Sequence, residues 1–472
     1  MLPDDVLLAV FDFCVESWQT LVHVCRRWRG VVFGSPRRLN LRLFCTSKTP
    51  ARDTLDVWPA LPLVIECYYG IPKESADNIV AVLEHSSRVC QIGIGHLSSS
   101  HFERILATMK QPFPELTYLT LSSNEETMSV VPVLPNSFLG GSAPRLRSLT
   151  LCSIPFPGLP KLLLSAIHLV DLDFCNIPHS GYFSPDEMIT ALSTLTSLKE
   201  LRLKFQSPLS RPGREHPRSA PSTRFVLPVL TYFLFTGVSE YLDDLVARID
   251  APQLNTLQIT FFNQIVFDAP QLVQFVGRTP TLKLLERVDV VFTDRAVEVK
   301  LSSQTSGSGR LNVKISCREI GWQVSSMEQV CTSCLPPLFT SEKLYIYGTS
   351  YWLSYGLDNI GDILWQELLQ PFTAVKNLYL SHEFASHIVS AMQELTGGGM
   401  TEVLPTLQNI YLEGLQPSGP VQENLQQFVA SRQASRPIAV SRWDKGRIDG
   451  TLAPLSAVPL PLLPGAHDTA GR

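Results

Sequence analysis

Residues 114–121 read PELTYLTL and residues 144–151 read PRLRSLTL, 30 positions further on. Each stretch holds a leucine, two residues, an apolar residue, one residue and a second apolar residue: Leu116, Leu119 and Leu121, then Leu146, Leu149 and Leu151. The spacing returns at Leu169, Leu172 and Phe174, at Leu198, Leu201 and Leu203, at Leu230, Phe233 and Phe235, and at Leu254, Leu257 and Ile259. After a blurred region it resumes at Val375, Leu378 and Leu380 and at Leu407, Ile410 and Leu412. The first six starts lie 30, 23, 29, 32 and 24 residues apart, and the last two are separated by 32. Such an interval has room for one strand, one turn and one helix.

The alternation in TYLTLSS and NIYLEGL has period two, which places every second side chain on one face of a strand. An all-helical solenoid would instead show two helical stripes per unit. Between the strands, EYLDDLVARI sets Leu242, Leu245, Val246 and Ile249 on one face, and FASHIVSAMQEL does the same with Ile388, Met392 and Leu395. One such unit leaves apolar sides bare, so units must stack. The pattern resembles a leucine-rich repeat of an irregular, long-unit kind, although the usual asparagine after the strand recurs only at Asn124 and Asn176. The resemblance implies parallel strands lining a concave face, with helices outside. Target-contacting positions are then expected at outward strand residues such as Thr117, Tyr118, Arg147, Ser148, Lys199 and Glu200. Proline or threonine often precedes the first leucine, which suits the start of a strand after a loop.

The first forty residues have a different texture. LPDDVLLAVFDF predicts a short helix, with Pro3, Asp4 and Asp5 suited to its N-terminal end. Val6, Ala9, Val10 and Phe13 share one face, and Leu7, Leu8 and Phe11 lie beside or opposite it, so this helix needs apolar partners on two sides. A second helical stripe follows: Trp18, Leu21, Val22, Cys25, Trp28 and Val32, with Arg26, Arg27 and Arg29 on the remaining face, until GSPRR breaks it. A piece this small and this apolar is marginal until something covers it. The Leu2–Pro3 pair, the helix VLLAVF and the run VCRRW resemble an F-box. The resemblance implies binding to the Skp adaptor of an SCF-type cullin–RING ubiquitin ligase, with Leu2, Pro3, Leu8, Val24, Cys25 and Trp28 in the adaptor contact or its immediate support. Two other readings of the arginine-bearing run stay open: an ordinary buried helix, and a helix of a DNA-binding helix-turn-helix.

Composition narrows the field. A net charge of −4 argues against a general electrostatic grip on nucleic acid. The N-terminus lacks the basic and apolar regions of a signal peptide, and no long uncharged apolar run predicts a membrane span. The 10 cysteines are scattered, which suits free thiols in a reducing setting, cytoplasm or nucleus. Cys331 and Cys334 form one CxxC with no second pair at zinc spacing. His382 and His387 lack a third ligand, and neither a nucleophile elbow nor a HExxH motif occurs. No cofactor, metal or enzymatic activity is expected.

The whole reads as an α/β chain. A helical F-box-like module (1–38) is followed by atypical first repeats or a capping segment (39–110), in which LNLRLF, LPLVIECYY and CQIGIG predict strands and ESADNIVAVLEH a helix with Ile79, Val82 and Leu83 inward. A degenerate repeat array (111–443) carries loops near 207–222 and 302–310, and ENLQQFVASRQ with IAVSRW predicts a closing helix and strand. The proline-rich remainder (444–472) is expected to be disordered. The expected function is that of a substrate receptor joining adaptor and cullin to an unidentified target protein; the alternative is a stand-alone repeat scaffold whose N-terminal helices only cap the first repeat.

Overall fold

The computed structural model describes residues 2–46, 50–67, 75–97, 99–123, 133–156, 159–212, 223–283, 285–303, 309–335, 338, 340–349, 357, 360–394, 403–414, 420–433 and 437–443. The expected tail, most of the two loops and Asn124 lie outside the described residues. The chain divides into two compact units, Met1–Leu234 and Phe235–Arg472.

The first unit opens with helices α1 (Asp4–Phe11), α2 (Trp18–Val24) and α3 (Arg26–Gly34), a short 3-10 segment joining α1 to α2, and then α4 (Ala51–Val57). The sequence predicts one helix through Cys25; the structure breaks it there. Cys25 is extended (φ −159°, ψ 166°), and its sulfur accepts the Trp28 amide at 3.5 Å, so it caps α3. Beyond these helices come strands β1 (Leu43–Cys45), β2 (Leu63–Cys67), β3 (Val89–Leu97), β4 (Tyr118–Ser123), β5 (Ser148–Cys152), β6 (Asp171–Ile177) and β7 (Glu200–Phe205). All seven pair in chain order and in parallel. Residues 39–110 therefore contribute three strands of the same sheet. Helices α5 (Ser75–Leu83), α6 (Ser99–Thr108), α7 (Leu159–Ser165) and α8 (Pro185–Leu192) cross between them. Two short strands complete the chain order here, β8 (Phe225–Val226) and β9 (Tyr232–Gly237), the latter spanning the boundary between the units.

Local chemistry explains the repeat. The proline before the first leucine does not start a strand; it sits inside a turn that delivers the chain to it. Leu116, Leu146 and Leu230 each donate their amide three residues back, to Phe113, Ala143 and Leu227, across Pro114, Pro144 and Pro228. The fixed φ of proline suits the second position of such a turn. The first residue of the turn and the leucine are both buried, and strand alternation then buries Leu119 and Leu121, Leu149 and Leu151, and Leu201 and Leu203. Burying each leucine side chain fully contributes about 2–3 kcal/mol. One carbonyl per repeat binds the next repeat twice: Thr117 accepts from Arg147 and Ser148, Arg147 from Val170 and Asp171, and Lys199 from Thr231 and Tyr232. Helix α8 carries a full capping box, with the Glu187 amide donating to Ser184 Oγ at 3.2 Å and the Ser184 amide to Glu187 Oε2 at 2.7 Å.

The second unit begins with α9 (Ser239–Val246), β10 (Ile249–Asp250), β11 (Thr256–Phe262) and α10 (Pro270–Arg278). The blurred stretch that follows is an antiparallel insertion. Strand β12 (Arg287–Phe292) turns tightly into β13 (Ala296–Ser302), which returns as β14 (Arg310–Ser316), giving the order β11-β14-β13-β12. Strand β13 runs antiparallel to both of its neighbours. The run near 302–310, read as a loop, lies between β13 and β14, and most of it is outside the described residues. After α11 (Ile320–Cys334), the parallel repeat resumes with β15 (Lys343–Gly348), α12 (Asp362–Leu369), β16 (Asn377–Leu380), α13 (His382–Glu394), β17 (Asn409–Glu413), α14 (Pro420–Gln433) and β18 (Ala439–Trp443). Successive helices from α9 to α14 pack against one another. Each unit is thus a mixed α/β arrangement of mainly parallel strands with crossover helices, consistent with a leucine-rich-repeat-like fold.

Among the described residues no helix is long and apolar enough to cross a membrane.

Candidate functional site

The N-terminal helices have two unlike sides. One is locked onto the first repeats. Trp18 is buried and donates its indole N–H to the Arg42 carbonyl at 2.9 Å, and its ring meets Trp58 edge-on at 5.2 Å. Phe33 and His23 also lie against Trp58, and Leu7 and Phe11 are buried. The other side faces solvent: Phe13 is 92% exposed, Val24 56%, Leu2 55%, Val10 48% and Val6 39%. Val6, Ala9, Val10 and Phe13 follow helical spacing and are all exposed, so the face grouped by sequence is the uncovered one. Hydrocarbon held in water this way has no partner within the described residues, and such a patch is a signature of an interaction surface.

The six residues implied by the F-box resemblance divide by exposure. Leu2, Pro3, Val24 and Cys25 are exposed, and Leu8 and Trp28 are half-buried. Trp28 packs edge-on against Phe11 at 4.9 Å and so supports the face rather than projecting from it. Sequence grouping placed Phe13 on this face without singling it out; its exposure needs the turn after α1, which no local pattern announces. The arginines act mainly as braces. Arg27 binds Asp4 at 2.6 Å and the Leu2 carbonyl, and Arg29 Nε donates to the Val22 carbonyl at 3.0 Å. Two of the three arginines of RRWR are thus engaged internally, which removes support from a helix-turn-helix reading.

Strand alternation in the first unit leaves a polar grid on the side away from the buried leucines. Its rows run Tyr118, Ser148, Asp171 and Glu200, then Thr120, Thr150, Asp173 and Arg202. Of the residues expected to face a target, Tyr118, Ser148 and Glu200 lie in this grid. Thr117, Arg147 and Lys199 precede their strands, and their carbonyls carry the paired contacts described above. Two consecutive residues cannot share a strand face, because successive side chains alternate. Arg202 pairs with Glu200 and stacks 4.8 Å above the Tyr232 ring. Burial pushes the Asp171 and Asp173 carboxyls up; the Glu200 charge raises Asp171 further, whereas Lys204 pulls Asp173 back.

The second unit carries an aromatic ladder that sequence reading missed. Tyr345, Tyr379 and Tyr411 occupy matching positions on β15, β16 and β17. Their rings stack at 4.1 and 4.4 Å, within 9° and 8° of parallel. The Arg287 guanidinium caps the stack 4.2 Å above Tyr345 and is held flat by a two-pronged pair to the buried Asp289, at 2.9 and 2.7 Å. Trp443 meets Tyr345 and Tyr379 edge-on, and Asn409 donates to Asn377 one row away at 2.8 Å. The signal was available: NLYL and NIYL share both Asn and Tyr at the same offsets. Tyrosine, tryptophan and arginine are the residues that dominate protein interfaces.

Elsewhere the thiols of Cys331 and Cys334 are buried in α11, and burial pushes Cys334 up to about 11, the reverse of a reactive or metal-binding thiol. Among the described residues no group of three or more His, Cys, Asp or Glu is placed to hold a metal ion.

No protein-family model and no curated protein matches the chain. Among solved structures, a leucine-rich repeat-containing protein from Legionella pneumophila is similar, with 12% identity over 82% of this chain and 97% of that one and a TM-score of 0.27. The fold assignment rests on strand order and register, not on that likeness.

Proposed function

We propose that the chain is the substrate-recognition subunit of an SCF-type cullin–RING ubiquitin ligase. In this reading the N-terminal helices bind a Skp-type adaptor, and the strand faces hold a target protein. The receptor makes no bonds; it raises the effective concentration of target lysines near a charged ubiquitin-conjugating enzyme. The observation that carries the reading is the water-facing apolar side of α1 and the turn after it, on helices whose other side is already anchored. A pull-down of recombinant Skp-type adaptor tests it: Val10→Asp with Phe13→Asp removes capture, because two charges would be desolvated in the interface. Capture equal to that of the native chain counts against the reading.

The second reading is a stand-alone interaction scaffold with the N-terminal helices as a cap. The Trp18–Phe33–Trp58 cluster favours it, since the helices cover the start of the repeats whether or not they bind anything else. Under this reading the same double substitution leaves every partner bound.

A further inference from the structure

Cys152 and Cys175 depart from the scattered, free thiols that the sequence suggests. They are register partners on adjacent strands, Cys152 as the last residue of β5 and Cys175 two residues before the end of β6, with Cα atoms 4.5 Å apart, and are bonded to each other. Both lie on the polar grid of the first unit and both are half-buried, whereas Cys45, Cys67, Cys317, Cys331 and Cys334 are buried. The backbone just beyond holds the two together. Ser153 and Asn176 adopt left-handed conformations (φ 57° and 54°), the Ser153 amide donates to the Cys175 carbonyl at 2.9 Å, and Asn176 Nδ2 donates to Ser153 Oγ at 2.9 Å. Ser123 Oγ closes the ledge on the Ser153 carbonyl at 2.7 Å. The cysteine positions are therefore set by three strands and not by the sulfur–sulfur bond alone, so the thiols stay adjacent when that bond is open.

We propose that Cys152 and Cys175 form a reversible dithiol–disulfide site on this strand face, closed by small-molecule disulfides such as glutathione disulfide. One thiolate attacks the small disulfide, forming a mixed disulfide and releasing one thiol. The second thiolate then displaces the bound half as a second thiol. The pair gives up two electrons and two protons, and the small disulfide becomes two thiols. Closure ties β5 to β6 and removes two thiols from the grid. The site does not depend on the ubiquitin-ligase reading.

Peptide mapping of the full native chain tests it. The reduced protein is equilibrated in glutathione buffers of rising disulfide fraction, trapped with a maleimide and digested without reduction. Cys152 and Cys175 are expected to lose reactivity together and to appear as one cross-linked peptide, with a transition inside the buffer range, while exposed Cys25 gains only a glutathione adduct. In Cys152→Ser, Cys175 stops at the adduct. Because that variant can fail to fold, phenylarsine oxide on the reduced native chain is the second measurement: one equivalent condenses with both thiols and protects both cysteines at once, as a bidentate soft electrophile must. Independent loss of the two thiols, adducts on both without a cross-linked peptide, or separate protection by the arsenical overturns the proposal.

Discussion

Asp243 shows how a single residue links two repeats. Its carboxylate accepts the amides of Gln271 and Leu272 at 2.7 and 3.0 Å, so a side chain of α9 caps the start of α10. Burial pushes its pKa up to about 6, against the pull of those two amides. The folded chain thus holds this proton more tightly than the unfolded chain does. The contribution of this group to stability is full below about pH 4 and is lost as pH rises from about 4 to about 6, by an amount on the order of 2–3 kcal/mol. Asp243→Asn keeps an acceptor for the amides and removes the titration. Urea denaturation at several pH values is expected to show a flatter profile for the variant across that window; identical slopes would contradict the assignment. Nothing in EYLDDLVARI marks Asp243 apart from Asp244, because the distinction comes from which residue of the pair faces the next helix. The leucines are the opposite case. Leu201 is buried where its spacing says it must be, and Leu201→Ala is expected to cost about 2–5 kcal/mol in the same measurement.

At the scale of elements, what repeats in sequence is legible and what interrupts the repeat is not. The strands of the first unit follow from period-two alternation between proline turns, each rung supplying its own evidence of burial. Strands β13 and β14 alternate, in AVEVKLS and LNVKIS, whereas β12 is buried on both faces, and alternation does not say which neighbour a strand joins. The missing clue was the short link between β12 and β13. Thr293 Oγ1 accepts the Ala296 amide at 2.9 Å and the Thr293 amide donates back to the Ala296 carbonyl, a turn with no room for a crossover helix. The break at Cys25 was hidden for a different reason: the apolar stripe continues across it, and a cysteine cap lacks the hydroxyl or carboxylate that usually announces a helix start. Helix α8 carries that announcement in full. Ser184→Ala is expected to lower stability by about 1 kcal/mol, and Ser184→Thr by less, in thermal melts. Equal melting of all three proteins would mean that the capping box contributes nothing.

For the whole molecule, stability accumulates through contacts between neighbouring repeats, and the first repeat needs a cover. The aromatic cluster of Trp18, Phe33 and Trp58 supplies it, so deleting residues 2–35 is expected to lower the melting midpoint of the full-length remainder. Val10→Asp with Phe13→Asp leaves that midpoint close to native, since both side chains already face water. The fold class and the two-sided apolar character of the first helix were readable from sequence; which side is covered was not, because Trp58 sits outside the motif and its contact exists only once the chain has turned back at Ser35 and Pro36. In the proposed function the uncovered side receives an adaptor protein. Hydrogen–deuterium exchange of the native chain with and without a recombinant Skp-type adaptor measures it most directly. Slowed exchange is expected to concentrate within residues 2–28, with the strand faces unchanged. Exchange over those residues that is identical in the presence of saturating adaptor would contradict it.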